Sequence, residues 1–348
     1  MSLERPDFAR IGIIGGGQLG QMMILAGTPL GFSFGVLSPD PTDPAAHLAH
    51  HHVAGSLADP DVVRRLCSWA DVATYEIEHI STDGLDAAVA EGHRVEPAPG
   101  VLRTINDKHE QKDVLAAAGI PVPAFSLEPA SFPTVQKLRH GGYDGRGVQV
   151  LPDAGAPRLP GASYFEELVE LDRELAVIVA RSVTGEVATY PVVEMEFDPA
   201  ANICSRVSLP ARIADSVAAR ARTTAIAAVE AIGATGVVAV ELFLSRGGDL
   251  LVNELAPRPH NSGHLTIEDP SLPRRLHTHV TSAVDDGREL RFVDPRRFGR
   301  VEIATLAARA ATPFLRSLGP EPEDLTVEDL AATLVRRRGP FKPVLLDQ

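Results

Sequence analysis

Two glutamates, Glu241 and Glu254, each interrupt a strongly apolar stretch of the chain, VVAVELFL and LLVNELAP. Such stretches are typical of buried strands, where a carboxylate without a partner is costly. Two carboxylates that face each other would repel unless a cation lay between them. Mg²⁺ is held in this way, by one or two carboxylates and the phosphates of a substrate. We therefore predict a metal site at this pair; the alternative is two buried ion pairs, with Arg258 as a candidate partner.

Hydrogen-bond donors are concentrated directly after Glu254, in the segment APRPHNSGH. It brings Arg258, His260, Asn261 and Ser262 into one irregular stretch. Such a cluster suits a small oxyanion that is held beside the metal. The other interpretation is a polar loop whose side chains satisfy one another.

A glycine-rich segment, GGYDGRG at residues 141–147, follows Lys137 on a predicted strand. Its glycines leave backbone amides free to cover phosphates, and the lysine ammonium would point at phosphate oxygens. The sequence G-x-x-x-x-G-K-[ST] of a Walker loop does not occur in the chain. We expect a flap over a nucleotide; the alternative is a surface hairpin with a solvated lysine.

A second glycine-rich motif, GGGQLG at residues 15–20, lies between a predicted strand and a predicted helix. It fits G-x-G-x-x-G, whose amides bind an anion at a helix N-terminus, and Asp40 stands where a Rossmann fold places a ribose-binding acid. A nicotinamide-dependent oxidoreductase is therefore one alternative, and a tight turn that binds nothing is another. Glu76 and Glu78, in TYEIEHI, lie at a strand end, where a parallel sheet forms its ligand crevice.

Four histidines, His47, His50, His51 and His52, form a short tract that resembles a metal-binding sequence only in composition. Their spacing belongs to a loop that leads into a strand, so we do not expect a zinc site there.

Composition restricts the class of ligand. The 348 residues carry 33 basic and 46 acidic side chains, a formal net charge of −13, which argues against nucleic acid as the main ligand. The net charge does not exclude a small anion, which needs only a local positive pocket. The two cysteines lack metal spacing and indicate a reducing, cytoplasmic compartment. We expect no membrane partner, since the sequence has neither a long apolar run nor a signal-like N-terminus.

Strands and helices alternate over about the first 95 residues, which predicts a doubly wound parallel sheet. The predicted strands are 11–15, 34–37 and 71–75, and the predicted helices are 18–30, 59–69 and 81–90. A single helix is expected at 101–118, before a Gly- and Pro-rich section at 124–168. Further on, the pattern predicts strands at 175–180, 187–193, 203–209, 236–244 and 249–254, and helices at 213–232 and 273–285.

Taken together, the motifs closely resemble the ATP-grasp superfamily, and within it the 5-carboxyaminoimidazole ribonucleotide synthetases of purine biosynthesis. The resemblance covers residues 10 to 268. It rests on GGGQLGQMM, TYEIEHI, NDKHEQK, KLRHGGYDGRG, RELAVIVAR and NELAPRPHNSGHLTIE.

The resemblance implies a reaction of ATP, bicarbonate and aminoimidazole ribonucleotide, with ATP and Mg²⁺ as the bound cofactors. Lys108 and Lys137 would hold the ATP phosphates under a flap that includes Gly142, Gly145 and Gly147. The segment Glu166-Glu167-Leu168-Val169 would bind adenine, and Glu174 the ribose. Glu241 and Glu254 would bind Mg²⁺, while Arg258, His260 and Asn261 orient bicarbonate. The acceptor would meet Tyr143, Asp144 and Ser262, and also Gly17, Gln18, Leu19 and Glu76.

The same resemblance implies an α/β ATP-grasp fold in four parts, and a homodimer. These are an N-terminal Rossmann-like domain (1–100), linker helices and a central lid (101–168), the catalytic domain (169–287) and a C-terminal α+β domain (288–348). The family's phosphate-binding motifs are missing from the last part, where Arg296, Arg297, Arg300 or Arg336–Arg338 could replace them. A divergent ligase with a different acceptor and a nucleotide-binding regulator without activity are therefore alternatives.

Overall fold

The computed structural model describes residues 10–28, 31–142, 147–198, 203–263, 282–285 and 289–292. The chain divides into two compact units, Met1–His279 and Val280–Gln348. Within the described ranges, no helix has the length and apolarity that crossing a membrane requires.

A parallel sheet in the order β3-β2-β1-β4 opens the first unit. Its strands are β1 (Arg10–Ile14), β2 (Ser33–Ser38), β3 (His51–Ala54) and β4 (Val72–Tyr75), and its helices are α1 (Gln18–Gly27), α2 (Pro60–Trp69) and α3 (Thr82–Ala90). Helix α2 begins as predicted, because the Asp59 carboxylate accepts hydrogen bonds from the N–H groups of Asp61 and Val62. Apolar clusters cover both faces of the sheet, which confirms the doubly wound arrangement.

The single helix predicted at 101–118 is wrong, because the chain breaks at Asp107 into α4 (Pro99–Asn106) and α5 (Lys108–Ala117). Asp107 has an extended backbone, and its carboxylate accepts from the first N–H groups of α5, at His109 and Glu110. The new helix therefore starts at Lys108. Lys112 follows four residues later, on the same face of the helix.

A small antiparallel sheet in the order β5-β8-β6-β7, called the lid sheet below, follows α5. Its strands are β5 (Phe125–Ser126), β6 (Thr134–Leu138), β7 (Val148–Leu151) and β8 (Ser163–Glu167). Lys137 lies on β6 as predicted, and Glu166 lies on the neighbouring strand β8. Both side chains are buried.

The central sheet of the first unit is antiparallel, in the order β14-β13-β9-β11-β12, with β10 also paired to β9. Its strands are β9 (Leu171–Arg181), β10 (Val187–Thr189), β11 (Val193–Asp198), β12 (Ile203–Leu209), β13 (Gly236–Ser245) and β14 (Leu250–Ala256). The strand predicted at 187–193 starts at Val187 as expected, but the prediction is wrong for residues 190–192, because β10 ends at Thr189. Helix α6 (Asp215–Ala231) packs its alanine-rich stripe on one face, and the opposite face carries the polar side chains described below.

In the second unit, β15 (Ser282–Asp285) pairs with β16 (Glu289–Phe292) in antiparallel register. The helix predicted at 273–285 is therefore wrong at its last four residues, and the rest of it lies outside the described residues.

Candidate active site

The two glutamates predicted as metal ligands lie directly opposite each other on β13 and β14. Residues in this relation point to the same face of an antiparallel pair. Glu174 on β9 points to that face as well, because it lies two residues from Ala176, the partner of Glu241. The pairing of strands thus collects three carboxylates on one face of the central sheet.

The surroundings shift the pKa values of these carboxyl groups in different directions. Burial raises the pKa of Glu241, and the negative charges of Glu254 and Glu174 raise it further. Burial also opposes ionisation of Glu254, but the Lys108 ammonium outweighs it and lowers the pKa of that carboxyl. Burial raises the pKa of Glu174 to about 7, which the charge of Lys137 partly opposes. A cation between Glu241 and Glu254 would relieve their repulsion.

Helix α5 supplies the groups that meet β14. The Lys108 ammonium contacts Oε2 of Glu254. The side-chain carbonyl of Gln111 accepts a 3.0 Å hydrogen bond from the N–H of Leu255. One turn on from Lys108, Lys112 Nζ donates to the carbonyl oxygen of Val252 at 3.0 Å. Three side chains on one helix thus attach it to the strand that carries the carboxylate.

The donor segment after β14 lies beside the carboxylate pair, as predicted. His260 Nε2 lies 3.4 Å from Glu241 Oε1, and His260 Nδ1 lies 2.9 Å from Ser262 Oγ. The alternative in which Arg258 pairs with a metal-site glutamate is wrong, because its Nε donates to Oε1 of Glu78 at 2.7 Å. A single cleft brings these groups together, and its lining includes Glu78, Asn106, Lys108, Gly142, Glu241, Glu254, Arg258, His260, Asn261 and Ser262.

Lys137 lies at the edge of this arrangement, between the lid sheet and the central sheet. Its ammonium is 2.8 Å from Glu166 Oε2 and 2.8 Å from Asn253 Oδ1. Asn253 in turn approaches Glu241, with Nδ2 3.5 Å from Oε2. The solvated-lysine alternative is therefore wrong, since only 10% of the Lys137 side chain is exposed.

The segment predicted to bind adenine continues from the end of β8. Glu167 and Leu168 are exposed and Val169 is half-buried, so their backbone is accessible beside Lys137. The Glu167 carboxylate accepts from the N–H of Ala124 at 3.0 Å, which fixes the strand end to the chain that enters the lid. The Glu166 carboxylate is instead buried, and its oxygens contact Lys112, Lys137 and the hydroxyl of Tyr164.

Part of the predicted flap can be placed. Gly142 lines the cleft. Gly147, the residue before β7, has a positive φ of 82° and lies beside Leu138. Tyr143, Asp144 and Gly145 lie outside the described residues, so their predicted roles stay predictions.

The GGGQLG turn contains an anion of the protein itself. The buried Glu76 carboxylate accepts from the N–H of Gly17 and, at 2.8 Å, from the N–H of Gly20. Burial raises the pKa of Glu76, which these hydrogen bonds partly oppose. The Glu76 carboxylate therefore occupies the position where a dinucleotide-binding turn would hold pyrophosphate. Asp40 forms a local turn, in which its Oδ1 accepts from the N–H of Thr42 at 2.7 Å. In the same turn, Gln18 is exposed and Leu19 is half-buried.

The histidine tract has structural partners. His50 Nδ1 accepts from the N–H of Phe34, His52 Nε2 lies 3.1 Å from Ser38 Oγ, and His51 stacks on Trp69. Across the described ranges, no three His, Cys, Asp or Glu side chains are arranged to hold a metal ion. A metal at Glu241 and Glu254 would thus need further ligands from a substrate.

Two residues of this site were missed in the sequence. Asn253 was passed over because an asparagine before Glu254 carries no charge to signal it. Lys112 could have been found, because it follows Lys108 by one helical turn and is one of few lysines in the chain. Its 1% exposure is unusual for a lysine.

Two domain families match the chain. A ribonucleotide synthetase preATP-grasp domain matches residues 8–106, and an ATP-grasp domain matches residues 124–273. The predicted α/β ATP-grasp fold is thereby confirmed.

Known N5-carboxyaminoimidazole ribonucleotide synthases are similar to most of this chain. An N5-carboxyaminoimidazole ribonucleotide synthase from Mycobacterium leprae is 39% identical over 79% of this chain and 68% of its own length. The crystal structure of an N5-carboxyaminoimidazole ribonucleotide synthetase from Thermotoga maritima is 41% identical, with a TM-score of 0.70 over 76% of this chain and 73% of that one.

A second crystal structure contains two ligands. It is an N5-carboxyaminoimidazole synthase from Aspergillus clavatus in complex with ADP and 5-aminoimidazole ribonucleotide, 33% identical, with a TM-score of 0.68 over 77% of this chain and 75% of that one. Matches to the curated relatives span between 49% and 68% of those proteins' lengths.

Proposed function

The chain belongs to the N5-carboxyaminoimidazole ribonucleotide synthase family of ATP-grasp proteins, and from this premise we propose that it is an ATP-dependent ligase that carboxylates aminoimidazole ribonucleotide. The observation that carries the proposal is the cleft in which Glu241 and Glu254 lie opposite each other beside Lys108 and the donor segment of Arg258 and His260. This cleft offers a cation site, cationic groups for phosphates, and donors for a small oxyanion in one place.

In the first step, an oxygen of bicarbonate attacks the γ-phosphorus of ATP. The bond from that phosphorus to ADP breaks, and carboxyphosphate forms. Lys108 and Lys137 hold the phosphates, while Arg258, His260 and Asn261 orient bicarbonate for in-line attack. The chain contributes position and opposite charge, the two largest effects available for this kind of reaction.

The residues present fit Mg²⁺, because this ion is usually bound by one or two carboxylates together with substrate phosphates. Glu241 and Glu254 would supply the two carboxylates. Two observations support this fit: the two carboxylates face each other, and one of them attracts a lysine ammonium. When bound, Mg²⁺ would offset negative charge on the phosphates of ATP.

In the second step, the amine of aminoimidazole ribonucleotide attacks the carboxyl carbon of carboxyphosphate, or the CO₂ released from it. Phosphate leaves, the new C–N bond forms, and the amine loses a proton. Asp144, Tyr143 and Ser262 would face the acceptor. In the N-terminal domain, the turn that contains Gly17, Gln18 and Leu19, with Glu76 beneath it, would bind the acceptor's neutral part.

ATP would lie between the lid and the central sheet. Gly142, Gly145 and Gly147 would cover the phosphates, and Glu174 would bind the ribose. The backbone of Glu166-Glu167-Leu168-Val169 would bind adenine, because this segment leaves the lid sheet beside Lys137 with exposed residues. We also propose a homodimer in the cytoplasm. The family resemblance supports the dimer, and the free thiols of Cys67 and Cys204 support a reducing compartment.

The experiment is an assay of ADP formation from Mg²⁺-ATP with bicarbonate and aminoimidazole ribonucleotide supplied together or singly. We expect ADP to form at a high rate only when both are present, and isotopic carbon from bicarbonate to enter the acceptor. Fast ADP release with a different amine, and none with this one, would instead support a ligase of another acceptor.

A further inference from the structure

Lys112 is buried inside the protein, next to the proposed ATP site but out of reach of the cleft lining. Its side chain is 1% exposed, and the Glu166 carboxylate that it contacts is 2% exposed. Nζ of Lys112 lies 3.0 Å from Glu166 Oε1 and donates to the carbonyl oxygen of Val252 at 3.0 Å. Burial of a lysine ammonium is costly unless an opposite charge compensates it. We therefore asked what the contact with Glu166 does for the neighbouring site.

Glu166 is shared between two lysines. Its Oε1 meets Lys112 and also accepts from the hydroxyl of Tyr164 at 2.9 Å, while Oε2 meets Lys137 at 2.8 Å. The cluster thus holds two positive charges and one negative charge in a buried region. Although burial opposes its ionisation, the two lysines lower the pKa of Glu166 to about 2, which keeps the carboxylate charged.

Without Lys112, the same carboxylate would face Lys137 alone. The two would form a neutral pair, and Lys137 would have no net charge to offer a phosphate. With Lys112 present, the cluster of Lys112, Glu166 and Lys137 has a net charge of +1. Burial lowers the pKa of Lys112 to about 8, partly opposed by Glu166, so the lysine is still mainly charged at neutral pH.

Lys112 also fixes the geometry of the other partner of Lys137. Its second acceptor, the carbonyl of Val252, belongs to the residue that precedes Asn253, and Asn253 Oδ1 accepts from Lys137 at 2.8 Å. One side chain therefore holds both β8 and β14 at the points where Lys137 binds them.

We propose that Lys112 is a positioning residue for ATP, which acts through Glu166 and Asn253 to hold Lys137 and to leave its positive charge available to the phosphates. The proposal rests on the proposed function only in that Lys137 binds phosphate. Lys112 itself is not among the residues that line the cleft.

The test compares binding of ATP and of adenosine to the full chain, by calorimetry and by competition, without bicarbonate or acceptor. In Lys112→Met, ATP affinity is expected to fall about tenfold, whereas adenosine affinity stays within about twofold, because adenosine has no phosphate. Equal losses for the two ligands would indicate general damage to the site and overturn the proposal, and so would an unchanged ATP affinity.

Two further variants separate charge from hydrogen bonding. Tyr164→Phe removes the neutral donor from the same Glu166 oxygen and is the matched control, with ATP affinity expected within about threefold of wild type. Lys112→Gln keeps a donor but removes the charge, so it should reproduce the selective loss of ATP even if Lys112→Met does not fold. Normal ATP binding by Lys112→Gln would overturn the charge argument. If the wild-type chain did not bind ATP at all, the proposed function would fail instead.

Discussion

The ammonium group of Lys108 contacts the carboxylate of Glu254, 146 residues further along the chain. This contact joins the first residue of α5 to the strand that carries a proposed metal ligand. The lysine therefore supplies the positive charge that this carboxylate requires. A metal ion that binds there must compete with it.

Removal of the Lys108 charge should favour the metal in the absence of nucleotide. We expect Lys108→Met to bind Mn²⁺, as a probe for Mg²⁺, about tenfold more tightly than wild type when no ATP is present. The same variant should bind ATP more weakly, because a proposed phosphate partner is lost. Electron paramagnetic resonance of free Mn²⁺ measures the first effect, and calorimetry the second.

Arg64→Met is the control for Lys108→Met, since Arg64 forms an exposed ion pair with Glu91 in the N-terminal domain. It should change neither quantity. Weaker Mn²⁺ binding in Lys108→Met would contradict the idea that the lysine and the metal compete.

The two carboxylates of the pair should respond differently to neutralisation. The pKa of Glu241 is raised, so at pH values above the ordinary pKa of a glutamate its ionisation favours the unfolded state. Glu241→Gln, which cannot ionise, should therefore raise the unfolding midpoint by a few degrees. The pKa of Glu254 is lowered, so its ionised form is stabilising, and Glu254→Gln should lower the midpoint. Calorimetric melting without metal at pH 7.5 measures both.

Both substitutions should nevertheless reduce Mg²⁺-ATP turnover at least about a hundredfold, because each removes a proposed metal ligand. A shift of the two melting midpoints in the same direction would show that the assigned charges are wrong. Unchanged turnover in Glu254→Gln would remove that residue from the metal site.

The carboxylate of Glu76 should stabilise the turn that it caps. Glu76→Ala leaves the N–H groups of Gly17 and Gly20 without an acceptor at the start of α1. We expect the free energy of unfolding to fall by about 1–3 kcal/mol in urea titrations. Glu76→Gln keeps one acceptor oxygen and should lose less; an equal or larger loss would argue against the hydrogen-bonding role.

The stability of the nucleotide-free protein should depend on pH through Glu174. Its pKa is raised to about 7 from an ordinary value near 4.5, so between these values the folded state holds a proton that the unfolded state has lost. Stability therefore falls as pH rises through this window. Glu174→Gln should remove this part of the fall, making the variant more stable than wild type by about 1–3 kcal/mol at pH 8.

Urea titrations of wild type and Glu174→Gln at pH 5 and pH 8 measure the difference. The exposed Glu170 supplies the matched control, Glu170→Gln. If the gap between wild type and Glu174→Gln were no larger at pH 8 than at pH 5, Glu174 would not be the group that titrates.

Patterns within a short window of sequence predicted much of the fold. The helices predicted at 59–69 and 213–232 and the apolar runs of β13 and β14 all depend on neighbours a few residues apart. The carboxylate pair could be predicted for the same reason, since each glutamate interrupts a hydrophobic strand and the two strands follow one another.

Features that depend on distant partners could not be read from the sequence. Lys112 meets Glu166 and Val252, and nothing near it in the chain shows that it is buried. Asp107 is a different case, because the N–H groups that it caps, at His109 and Glu110, are close to it in the chain. This helix break was missed because no glycine or proline marks it. The domain boundaries 1–100, 101–168, 169–287 and 288–348 stay a prediction.

The capped GGGQLG turn also bears on how the protein would respond to its own product. Because the Glu76 carboxylate already occupies the amides at the start of α1, inorganic phosphate would meet a negative charge there. Phosphate released during turnover would thus not accumulate at this turn or compete with the acceptor for it. Product inhibition by phosphate should accordingly arise on the ATP side of the cleft, and it should be relieved by raising ATP and not by raising the acceptor.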